Sequence, residues 1–90
     1  MMSKENRKKL QDILNMIEIF MQRKDRSISF VNKIEVILDD FADEELFEQY
    51  RVALACYRPG GGEFLYDENQ MESMLRTFKY EIEERLRLEP

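Results

Sequence analysis

The sequence predicts an all-α protein, a compact antiparallel bundle of about four helices with a glycine-rich interhelical loop. Apolar residues recur at steps of three and four along four segments, which is the spacing of a helix face and not of a strand. Short polar links separate those segments, so neighbours in sequence should pack side by side. One run, Arg58-Pro59-Gly60-Gly61-Gly62, breaks the pattern. The 90 residues are of single-domain size, so residues 1–90 read as one helical domain.

The first helix is expected from about Ser3 to Lys24, with an inward stripe of Leu10, Ile13, Leu14, Ile17, Phe20 and Met21. Ser3 with Asn6 is an N-cap signal, and Arg23 and Lys24 suit the negative end of the helix dipole. Its first two turns are nearly free of apolar residues and should project beyond the core or fray. The second helix is expected at about Phe30–Phe41, capped by Ser27 or Ser29, with Phe30, Ile34, Ile37, Leu38 and Phe41 inward and Val31 and Val36 off the stripe. Its β-branched content leaves a strand as the competing reading, and the spacing favours the helix. Asp43 is a good cap for a third helix at about Glu44–Tyr57, with Leu46, Phe47, Tyr50, Ala53, Leu54 and Tyr57 inward. Pro59 and the three glycines end it. Phe64-Leu65-Tyr66 reads as a short extended piece, and Asp67 or Asn69 as the cap of a last helix at about Gln70–Leu88. That helix turns Met71, Met74, Leu75, Phe78, Ile82 and Leu86 inward.

Composition removes most enzyme chemistry. There is no His and one Cys, so general acid–base work, thiol catalysis and soft-metal sites lack their usual groups. Cys56 lies in the apolar run Val52–Cys56 and reads as a small buried side chain. That run is the longest unbroken apolar one and is too short to cross a bilayer. No apolar core of signal-peptide length follows the charged start, so the expected compartment is the cytoplasm. The acids near Asp39 do not match an EF-hand, and Gly62 is followed by Glu63 where a phosphate loop needs Lys and Ser/Thr. No cofactor or metal is expected. Met71 and Met74, beside the aromatic segment, read as core, with an interface as the second reading.

Net charge is −5 with a pI near 4.8, which argues against a nucleic-acid binder working through a basic face. The charge is unevenly spread. Residues 1–33 carry eight basic and four acidic groups, residues 34–74 carry two and eleven, and residues 75–90 carry four of each. Asp39, Asp40, Asp43, Glu44, Glu45 and Glu48 fall within ten residues with no basic residue among them. Caps and a helix N-terminus account for two or three of them. The rest repel one another in the free protein, and a cationic partner relieves that repulsion.

The segment Tyr57-Arg58-Pro59-Gly60-Gly61-Gly62-Glu63 resembles the small bacterial immunity proteins of contact-dependent growth inhibition and related polymorphic toxin systems. The resemblance implies a short, acidic, cytoplasmic, non-enzymatic chain that binds one toxin domain tightly, often a cationic nuclease, and blocks its active site or substrate path. It carries over no catalytic residue. It makes Glu63 and its loop candidates for the contact. The basic first third departs from a uniformly acidic inhibitor. The expected partner-binding set is Asp39, Asp40, Asp43, Glu44, Glu45, Glu48, Tyr57, Glu63 and Tyr66, with Tyr50, Tyr57 or Tyr66 as aromatic anchors where exposed. Neither nucleic acid nor membrane is an expected partner. The alternative is a small regulatory or adaptor protein, a phage-encoded inhibitor or a homodimeric helical interaction module. An enzyme working through paired carboxylates is the third reading.

Overall fold

The computed structural model describes residues 3–41, 45–63 and 65–88. The chain forms α1 (Lys4–Met21), α2 (Ile28–Leu38), a 3-10 turn (Asp39–Phe41), α3 (Glu45–Ala55) and α4 (Glu68–Leu88). The helices run up, down, up and down. α1 packs mainly on α4, α2 on α3, and α1–α2 and α3–α4 contacts close the ring. This is the all-α bundle the periodicity predicts. The strand reading of Val31–Ile37 is set aside, because those residues lie inside α2.

Side-chain caps fix the helix starts. Ser3 Oγ accepts from Asn6 N at 3.1 Å, Ser27 Oγ accepts from Phe30 N at 3.2 Å, and Asp67 Oδ1 accepts from Gln70 N at 2.8 Å. Gln70 Oε1 returns the favour to Asp67 N at 2.9 Å, completing a reciprocal capping box. Two starts therefore come earlier than the stripes suggest, at Ile28 and Glu68. The expected cap Asp43 lies outside the described residues.

The end of α1 also moves. Arg23 N donates to Phe20 O and Lys24 N to Ile19 O, the paired bonds of a Schellman motif. Arg23 takes the left-handed position, φ 61°, that this motif demands. Arg23 and Lys24 thus lie beyond the helix and not in its last turn. The first turns of α1 precede its first buried residue, Leu10, and Arg7 Nη2 donates to the carbonyl of Leu86 near the end of α4 at 3.4 Å.

One apolar core runs the length of the bundle. Leu10, Ile13, Ile17 and Phe20 of α1 meet Met71, Leu75, Phe78 and Ile82 of α4. An aromatic relay crosses it: Phe41 lies edge-on to Phe47, Phe47 edge-on to Phe78, and Tyr50 stacks on Phe78 at 4.2 Å. Val31 corrects its expected place, being buried through the spacing Val31–Ile34–Leu38, while Ile37 is only half-buried. Val36 points outward at 66% exposure, as its position predicts. Cys56 is half-exposed and not buried. Among the described residues no helix is long and apolar enough to cross a membrane.

Candidate functional site

The structure divides the expected contact residues between opposite ends of a molecule 40 Å long. One end is an acidic corner where α2 passes through the 3-10 turn into α3. Phe41 is the nail of this corner. Its ring is buried against Phe47, so the turn is fastened to α3 while Asp39 and Asp40 face solvent. Asp40 pairs with Lys9 Nζ at 3.0 Å, and Glu5 shares that lysine at 3.4 Å. The Asp40 hydrogen bond leads in pushing the Lys9 ammonium above its ordinary pKa. Glu45 and Glu48 are exposed on the outward face of α3, on the same side as Val52 at 57% exposure. Among the described residues Asp39, Glu45 and Glu48 form no ion pair. Asp43 and Glu44 lie outside the described residues. Between residues 28 and 55 the sequence sets only Lys33 and Arg51 against seven acids; α2, with Lys33 and Glu35, is neutral, so the acidic excess falls from Asp39 onward.

The other end holds Tyr57, Glu63 and Tyr66. Tyr57 is not a surface anchor. Its ring is buried edge-on against Phe20, and its hydroxyl donates to the carbonyl of Arg26 at 2.7 Å. Burial pushes that phenol's pKa up. Tyr50 is buried as well, and burial followed by the Glu81 carboxylate pushes its phenol well above the usual range. Tyr66 alone of the three is exposed, with Glu63 in the turn before it.

The glycine segment is a clasped loop. Arg58 N donates to Tyr66 O and Tyr66 N to Cys56 O, a two-bond parallel bridge across the loop's base. Gly61 N closes a turn onto Arg58 O at 2.8 Å, with Pro59 and Gly60 at its centre. Gly60 has φ 86°, the left-handed value a type II turn needs after proline. Its N–H donates to Glu68 Oε1 at 2.7 Å, and this bond leads in holding the Glu68 carboxyl below its usual range. A Cβ at Gly61, φ 78°, would lie 3.2 Å from Asp67 Cβ, so the loop's approach to α4 also requires glycine there.

Arg26, which no motif in the sequence marks, ties this end together. Its Nε donates to Phe20 O at 2.9 Å, its guanidinium lies 4.6 Å over the Phe20 ring, and its Nη2 is 3.5 Å from Glu72. Beside it, Arg23, Arg26, Gly60, Asp67, Glu68 and Asn69 line an open cleft of about 380 Å³. Each carboxylate there already has an oxygen bonded to backbone, in the α4 cap and the loop clasp. No His/Cys/Asp/Glu group suited to a metal occurs among the described residues. What the arrangement offers is two separate surfaces, an acidic corner beside the exposed Val52 and a mixed-charge loop end.

No family model matches the chain, and searches of curated proteins and of solved structures return no match.

Proposed function

We propose that this chain is an immunity-type inhibitor that binds and neutralises a cognate toxin domain, a cationic nuclease, through its acidic corner. The observation that supports it most is the state of the corner's acids. Asp39, Glu45 and Glu48 are exposed and, among the described residues, have no ion-pair partner; Asp39 sits on the turn that the Phe41–Phe47 contact fastens to α3, and Glu45 and Glu48 sit on α3 itself. Display on a helix and on a packed turn limits the ordering cost of association, and uncompensated charge steers an oppositely charged partner at long range. The surface is 5783 Å², of which a standard contact of about 800 Å² is roughly a seventh. One face is enough to be the whole function. The far position of Tyr66 and Glu63 leaves the loop end as a separate surface, outside the contact with the corner.

The test is affinity capture from the native host with tagged parent and with the Asp39→Asn/Asp40→Asn/Glu45→Gln/Glu48→Gln variant. A basic protein that arrests growth when expressed alone, is relieved by the parent and is lost from the variant supports the proposal. Recovery of a non-toxic partner by both forms favours the adaptor reading.

A further inference from the structure

A different surface, the outward face of α4, has an ordered charge pattern around an exposed aromatic. Tyr80 is 64% exposed. Arg76 lies one turn before it and Glu84 one turn after. In an antiparallel pair of α4 helices with a two-fold axis at Tyr80, residues equidistant from position 80 face each other. Arg76 then faces the second copy's Glu84, Thr77 faces Glu83 and Ser73 faces Arg87. Opposite charges meet, and no like charges do. We propose that a second copy of this chain docks antiparallel on α4 in this register, placing each Arg76 against the other copy's Glu84.

The surface next to Tyr80 has the right chemistry for that arginine. Tyr80, Glu81, Glu84, Arg85 and Leu88 line an open cleft of about 290 Å³, one turn beyond the axis. Tyr80 and Leu88 give the apolar wall that an arginine stem covers, and Glu84 gives the carboxylate for its guanidinium. Both groups now have partners within α4: Arg76 Nη2 is 3.6 Å from Glu72, a half-buried carboxylate that Arg26 also meets, and Arg87 holds Glu84 through both Nε and Nη2. A carboxylate has lone pairs enough for two guanidinium groups, so Glu84 can take the second copy's Arg76 while keeping Arg87. The 21 residues of α4 span about 31 Å, so the shared strip is smaller than a standard interface and the dimer is weak. This inference is independent of the inhibitor reading, because the acidic corner lies on other helices and stays free.

Sedimentation velocity of the untagged full chain at protein concentrations from roughly 5 µM to 1 mM tests it. The parent shifts toward a dimer as concentration rises. Arg76→Glu and Glu84→Arg each weaken association by tenfold or more, and the double variant Arg76→Glu/Glu84→Arg regains it. Each single change also loses one pair inside α4, and the double variant loses both, so regained association reports contact between copies and not helix stability. A parent that stays monomeric throughout, single variants that dimerise like the parent, or a double variant that fails to regain association overturns the proposal.

Discussion

The phenol of Tyr57 bonds the backbone carbonyl of Arg26 across 31 residues of chain, at 2.7 Å. This one bond fastens the end of α3 to the link between α1 and α2, and Phe20 contacts both partners. Replacing Tyr57 by Phe keeps the ring and leaves a part-buried carbonyl without its donor. The expected loss is about 1–2 kcal/mol, which lowers Tm by roughly 4–8 °C per kcal/mol in a domain this size. Thermal unfolding followed by circular dichroism measures it, and an unchanged Tm would show that water replaces the bond without cost.

Arg23 holds a left-handed conformation that glycine adopts freely. Arg23→Gly is expected to stabilise the protein by about 0.5–1 kcal/mol, and Arg23→Val to destabilise it by at least as much. Urea midpoints of the three proteins give the order directly.

Phe78 is the centre of the aromatic relay, in contact with both Phe47 and Tyr50. Phe78→Ala is expected to remove about 3–5 kcal/mol, a large share of the stability of a small domain. Tyr66→Ala, at the exposed end of the loop bridge, keeps the backbone bonds and is expected to change stability by under about 0.5 kcal/mol. Equal losses for the two would contradict the placement of the core.

The loop clasp makes stability depend on pH. Glu68 has a folded pKa below its ordinary value of 4.5, chiefly through the Gly60 N–H, and Asp25 is lowered in the same way by the hydroxyl and N–H of Ser27. A carboxyl lowered by folding stabilises above its unfolded pKa, and that contribution is lost as pH falls through the folded value. Stability is therefore expected to drop on acidification below about pH 5. Glu68→Gln should be less stable than the parent at neutral pH, and the gap should close toward acid. Denaturant midpoints at both pH values check this, and a gap that widens in acid would reverse the assigned sign.

Helix number, order and most of the core were legible because burial imposes a period that survives in the residue pattern. Leu10–Phe20 and Met71–Ile82 show this most plainly. The helix ends were harder, since Ser27 and Asp67 act through side-chain bonds that override the first apolar residue of a stripe. The Schellman ending at Arg23 carries no glycine to signal it. Pro59 and Gly60 mark a turn, but its clasp depends on Glu68, eight residues on, and Tyr57 before it is anchored to Arg26 from another link. The acids of the corner were visible as a run. Their distance from Tyr57, Glu63 and Tyr66 follows only from the up-down order of the helices, which sets the two ends of α3 far apart.

Steering and capture of a cationic partner by the acidic corner, as proposed, would show in the association rate between the chain and the captured toxin domain across a range of salt, for the parent and for Asp39→Asn/Asp40→Asn/Glu45→Gln/Glu48→Gln. Exposed acids add little to folding, so the variant should melt within a few degrees of the parent. At low ionic strength its association should be slower by about tenfold or more, and its rate should vary less with salt. A variant that associates at the parent's rate across the whole salt range would contradict the claim and leave the corner as solvated surface.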